Sequence, residues 1–280
     1  MRVIFSRKGF DGAAGCVPSP IVDGRPISLP IPTELQHTRF SDLREPVAQL
    51  VSDLTKGRVN GDAFCHLDPD IDDAATIRPR PSGWRGALGQ VGNAQSHLRN
   101  SKVGRGDLFV FWGLFQEVEK RSGRWRYHGS PQHSIFGWLQ VAHVFSVATD
   151  GDQIRAMHPW LTNHAHLRDG WEIFGDAEKL KNTVYVAEER LSLFPDSNLP
   201  GFGALAAAHV LSASENGPKS VWRVPEWLNP LRGGTGLTFH SDSRFSGDLL
   251  STVGRGQEFV ADIGDRLEPR EWLRSILSLQ

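Results

Sequence analysis

Cysteine is scarce in this 280-residue chain: Cys16 and Cys65 are the only two, and neither lies in a CxxC or other zinc-ligand spacing. They can bridge or stay reduced, and two scattered cysteines suit a reducing compartment. Long apolar runs are missing as well, and nothing approaches the roughly 18 residues that a membrane helix needs. The opening MRVIFSRKGFDG has no apolar core of a signal peptide. A soluble cytoplasmic protein without a membrane partner is expected. Charge of one sign is not in excess, the formal net charge being −1. No global field draws the chain to nucleic acid or anionic lipid, so any polyanion site must be a local patch. GxxxxGK[ST], a GxGxxG following a strand, GxSxG and HExxH are all absent, which speaks against P-loop nucleotidases, Rossmann enzymes, serine hydrolases and zincins. No internal repeat stands out.

What is plentiful is turn chemistry and tryptophan. With 29 glycines and 17 prolines, short elements joined by many turns are favoured over a helix bundle. The nine tryptophans suit a core or stacking on bases. RVIF at 2–5 reads as a strand, and residues 9–32 as a compact loop with a hairpin turning at Asp23-Gly24. Val47, Leu50, Val51 and Leu54 fall at i, i+3, i+4, i+7 and predict an amphipathic helix over 41–56. A helix is expected at about 86–100, burying Ala87, Val91, Ala94 and Leu98. The tight turn at 103–107 then leads into an apolar strand, 108–115, and Ile135–Val147 returns as its antiparallel partner. A terminal helix is expected over 268–279. The fold class is therefore α+β: a mixed, mainly antiparallel, partly closed sheet with a few flanking helices. The chain is expected to form one domain over 1–280, with a helix-plus-hairpin core at about 84–195.

Several polar clusters are candidate sites. Ser6, Arg7, Lys8 and Asp11 follow the first strand, where open sheets place ligand contacts; the same residues suit a solvated turn with an ion pair. His66, Asp68 and Asp70 alternate, so in extended chain they share a side at about 6–7 Å spacing. They can hold a divalent cation or move protons, or simply tie down an Asp-Pro turn. On the expected helix Gln90, Asn93 and His97 share a face, a set able to read the hydrogen-bonding edge of a base. In the loop 117–134 Lys120, Arg121, Arg124 and Arg126 interleave with Trp125 and Tyr127, which suits phosphates with stacked bases or a plain surface hairpin. Trp112 or Trp138 can serve as a stacking wall. His158, His164 and His166, with Asp169, form another possible ligand set, though at no recognised spacing. His240, Asp242 and Arg244 alternate in what also reads as a turn.

The phrases SRKGFDGAAGCVPSPI, HLDPD, GQVGNAQSHLRNSKVGRGDLFVFWGLF, GWLQV, NTVYVAEERL and RGQEFV occur in this order from Arg2 to about Val260. Together they resemble the nucleotide modification associated domain 3 family of phages and bacteria. The resemblance implies action alongside systems that alter DNA bases, with DNA or a nucleotide as ligand and co-encoded base-modification enzymes as partners. It implies no established catalytic set, metal or cofactor. The unit at 84–147 is also similar in pattern to PUA, ASCH and EVE barrels, which bind modified or flipped bases in a pocket. Under these resemblances Arg7, Lys8, Arg121, Arg124 and Arg126 would meet phosphates, Ser6 would help anchor the ligand, and Gln90, Asn93 and His97 would read it. The expectation is a protein that recognises or alters a modified base. The alternatives are a metal- or acid/base-dependent hydrolase or transferase working through His66, Asp68, Asp70 and Asp11, or a non-catalytic interaction module.

Overall fold

The computed structural model describes residues 1–10, 15–34, 36–168, 181–254, 256 and 258–277. Its strands are β1 (Arg2–Arg7), β2 (Ser19–Val22), β3 (Arg25–Pro26), β4 (Ile31–Pro32), β5 (Cys65–His66), β6 (Ala87–Gln90), β7 (Leu108–Arg121), β8 (Arg124–Tyr127), β9 (Gln132–Ser146), β10 (Thr183–Ala187), β11 (Phe202–Val210), β12 (Val221–Arg223), β13 (Phe245–Ser246), β14 (Leu249–Ser251) and β15 (Glu258–Asp262). The helices include α1 (Val47–Leu54), α2 (Gly92–Asn100), α3 (Gly151–Met157), α4 (Ala165–Arg168) and a C-terminal helix, Leu267–Ile276.

The main sheet runs β15-β1-β7-β9-β10-β6, with β2, β3, β8 and β11 paired off this path. β1 and β2 both lie parallel to β7, one after the other along the same edge, and the other pairings are antiparallel. The expected α+β class with a mixed sheet is what forms. The backbone ladder does not close into a barrel. The sheet nevertheless curls strongly. β6 and β15 stand at opposite ends of the strand order, yet Gln90 Nε2 on β6 donates to Glu258 Oε1 on β15 over 2.6 Å. α2 follows β6 and packs against β15, lying across the gap between the two ends.

Period-two alternation divides the core between the two faces of this sheet. Ile4, Phe109, Phe111, Leu139, Tyr185 and Val260 fill the inner face, with Leu98 of α2 among them. Val3, Phe5, Val110, Trp112 and Phe259 face outward, against Trp222 of the small sheet β12-β14-β13 and against Leu273 of the C-terminal helix. Phe10, Leu29, Phe40, Val51 and Cys65 pack together in a further apolar cluster. Neither cysteine is in a disulfide, and burial pushes the Cys65 thiol up to about 12.

The expected helix at 86–100 is corrected. ALGQ is a strand, and the helix starts only at Gly92, whose φ of 62° breaks the path between the two elements. Ala87 and Leu98 are both buried, but from different elements, so the helical spacing that linked them is coincidental. Tertiary pairing decides the matter: Ala87–Gln90 completes the ladder with β10. The strand expected at 108–115 continues to Arg121, because the basic loop is itself a hairpin of β7 and β8.

Candidate functional site

Two polar clusters meet where the curled ends of the sheet approach each other. The first is gathered on Glu258. β1 and β15 pair Ser6 with Glu258, so their side chains share the inner face. Ser6 Oγ donates to Glu258 Oε1 at 3.0 Å, Lys8 Nζ at 3.2 Å and Gln90 Nε2 at 2.6 Å. Three donors therefore converge on one carboxylate oxygen. The other, Oε2, is buried with no hydrogen-bond partner among the described residues.

The second cluster is built on the outer edge of β6. Asp70 exchanges backbone hydrogen bonds with Ala87, which holds the Asp68-Pro69 turn against that edge. The Gly89 amide, next along the strand, donates to Asp68 Oδ1 at 2.6 Å. His66 arrives on β5, paired with Ile31 of β4. His166 arrives on α4 and occupies the space where a side chain at Gly89 would be: a Cβ there would lie 2.0 Å from the imidazole. One ligand-type atom each from His66, Asp68 and His166 lie within 4.8 Å of one another.

Neighbouring groups orient this trio. Asn182 Nδ2 donates to the His166 carbonyl at 2.9 Å, so its Oδ1 is what meets His166 Nδ1 at 2.8 Å. His166 Nδ1 thus carries the proton, and Nε2, 3.9 Å from Asp68 Oδ2, is the basic nitrogen. His164 is arranged the opposite way. Its Nδ1 accepts the His166 amide at 3.3 Å, which places the proton on Nε2. That Nε2 is buried 3.5 Å from Asp68 Oδ1 and completes no hydrogen bond among the described residues. Burial pushes His66 down and His166 down to about 3. Burial opposes the charge on Asp68, but His164, His166 and the Lys8 ammonium outweigh it and hold the carboxyl below the usual carboxylate range. Lys8 acts on both clusters: it is bonded to Glu258, and its charge acts on Asp68 and His66.

Not every residue expected from sequence joins this meeting point. Ser6, Lys8, Gln90, His66 and Asp68 do. Asp70 does not serve there, because Arg80 grips both its oxygens at 2.8 and 2.5 Å in a part-buried pair. Arg7 alternates to the other face of β1, where its charge helps lower His133. Gln90 lies on a strand, so it shares no helical face with Asn93, which is exposed, or with His97. His97 Nε2 instead lies 3.1 Å from Thr238 Oγ1, with its ring 4.4 Å from that of Phe239. Trp138 is buried in the outward-facing core, and its Nε1 donates to the Pro200 carbonyl, so it presents no open face for stacking; Trp112 is buried likewise. Arg121, Arg124 and Arg126 stand exposed on the β7–β8 hairpin, reached only after β7 runs on from Trp112 for about 30 Å at roughly 3.3 Å per residue. Trp125 and Tyr127 alternate inward against Leu50 and Leu54 of α1. His158 packs with His143, Phe145 and Trp160 and takes no part in the His166 cluster. His240 ties its own turn, Nδ1 donating to the Thr238 carbonyl at 2.9 Å, and its Nε2 accepts the Val253 amide. Asp11 and Asp169 lie outside the described residues.

Sequence reasoning missed Glu258, Gly89 and Asn182. Glu258 left a signal, a carboxylate at the same parity as buried Val260 in a short apolar strand. Gly89 left none, because its role is the room it leaves for a residue far along the chain.

The profile of the family described as nucleotide modification associated domain 3 matches residues 2–262. The chain belongs to this family. Both clusters lie inside the matched span, and membership ties the chain to nucleotide modification. Searches of curated proteins and of solved structures each returned no match. Among the described residues no helix is long and apolar enough to cross a membrane.

Proposed function

We propose that this chain binds a nucleotide, free or within a nucleic acid, through its base edge at the Ser6–Lys8–Gln90–Glu258 cluster, and alters it at the adjoining His66–Asp68–His166 centre. The observation that supports this reading is the asymmetry of Glu258. Oε1 accepts three hydrogen bonds while Oε2 is buried without a donor among the described residues. An unmatched buried acceptor costs about 1–3 kcal/mol, which a ligand N–H can recover. Carboxylates accept from the exocyclic amino groups of bases, and Lys8 stands ready for a neighbouring carbonyl or phosphate oxygen. Family membership supports a nucleotide as the ligand class.

The test is calorimetric titration of the full chain with a panel of nucleoside monophosphates, modified bases included. Glu258→Gln keeps the shape but loses the charge and one acceptor. It is expected to weaken binding of amino-bearing bases by more than tenfold while circular dichroism stays that of wild type. Undiminished affinity in that variant would remove the base-edge reading.

A further inference from the structure

We propose that His66, Asp68 and His166 form a binding site for one divalent first-row transition-metal ion, of the zinc, iron(II) or cobalt(II) kind. Two imidazoles and one carboxylate suit such ions, whereas magnesium and calcium prefer sets made of oxygen alone. Three protein ligands leave positions open for water or substrate, the arrangement of reactive rather than structural centres.

Four features of the site carry the inference. The three ligand-type atoms lie within 4.8 Å of one another, so modest side-chain movement brings them to an ion at about 2.0–2.2 Å. Asn182 fixes the His166 tautomer, turning the basic Nε2 toward Asp68 Oδ2 at 3.9 Å. Two acceptors that face each other across such a gap gain from a cation between them. His164 Nε2, buried and without a completed hydrogen bond among the described residues, lies 3.5 Å from Asp68 Oδ1, as the outer partner of a ligating carboxylate does. Lastly, two carboxylates, those of Asp68 and Glu258, lie in a neighbourhood where Lys8 Nζ at 3.2 Å from Glu258 Oε1 is the ammonium, a setting that can accept a cation. The binding stands on these contacts alone; a role for the ion in altering a nucleotide rests on the reading given above.

The experiment uses the full chain, stripped with a chelator and titrated with Zn²⁺ or Co²⁺ by calorimetry and by competition with a chromophoric chelator. Mg²⁺ is the comparison ion. One equivalent of Zn²⁺ or Co²⁺ is expected to bind, with a visible cobalt absorption and a raised melting temperature. His66→Ala and His166→Gln should each weaken Zn²⁺ by at least a hundredfold, and Asn182→Ala by at least tenfold. Absence of stoichiometric binding by the wild-type chain, or wild-type affinity in either histidine variant, would overturn the site. If both variants fail to fold, X-ray absorption of the cobalt-loaded wild type decides: two imidazoles in the first shell support the site, and none or one overturns it. Nucleotide titration in excess chelator keeps the two readings apart, since nucleotide binding without a metal site, and a metal site without nucleotide binding, are separate results.

Discussion

At the scale of single residues, the smallest side chain in the site has the most exacting role. Gly89 gives its amide to Asp68 and its empty space to His166. A methyl group there would stand 2.0 Å from His166 Cδ2 with backbone ladders on one side and α4 on the other. Gly89→Ala is therefore expected to displace the imidazole. Overpacking of this kind costs about 1–3 kcal/mol, so the melting temperature should fall by several degrees, and Zn²⁺ affinity should drop by more than tenfold. Chelator competition on the folded variant reads the second effect; affinity equal to wild type would show that the ring does not depend on this gap. The Asp68–Asp70 pair makes a complementary point. Alternation made the two carboxylates look equivalent in sequence, and Arg80 separates them: one is neutralised by a guanidinium, while the other faces histidines.

At the scale of elements, the β7–β8 hairpin separates two properties that its composition runs together. Basic and aromatic residues alternate along it, and in a strand that alternation becomes two faces. Arg124 and Arg126 are exposed, while Trp125 and Tyr127 pack on α1 and Lys120 lies 5.5 Å over the Trp125 ring. The hairpin can meet phosphates but offers no stacking platform. If a DNA oligonucleotide is bound, the double substitution Arg124→Ala, Arg126→Ala should lower its affinity and reduce the steepness of its salt dependence by about two charges. Binding of a mononucleotide should not change. An unaltered salt slope would leave this hairpin without a role at the phosphates.

The same scale shows what could be read from sequence and what could not. β1, the Asp23-Gly24 hairpin, the apolar face of α1 and the β7–β9 pair follow from local pattern, because each is a periodicity or a turn that its own residues determine. Residues 87–90 do not. Ala87, Val91, Ala94 and Leu98 satisfy a helical period, and only the distant β10 makes the first four residues a strand. His164 and His166 could be seen as possible ligands, and so could Asp68 beside His66, but their meeting could not, since nothing local announces contact between α4 and a turn so far upstream.

At the scale of the whole molecule, histidine burial ties stability to pH outside the site. His133 lies between Trp112 and Trp222, accepting Trp222 Nε1–H at 2.9 Å. Burial, with help from the Lys219 and Arg7 charges, pushes it down to about 4. Its unfolded value is about 6.5, so the unfolded chain takes up the proton first as pH falls. The stability it contributes is complete above about pH 6.5 and is lost progressively toward pH 4. Thermal melts across that range should show falling stability, and His133→Gln should flatten part of the slope. An unchanged profile in the variant would assign the slope to other buried histidines.

The bond between Gln90 and Glu258 joins residues 168 positions apart in the chain. It also joins the two ends of the strand order, so the proposed base-edge acceptor belongs to no local motif and no separable fragment. During synthesis the opening loop, the histidines and the edge strand can all be in place while their common anchor has yet to leave the ribosome. The proposed site comes together only when the curled sheet meets its own far border, which would make ligand competence a late event in the birth of the protein.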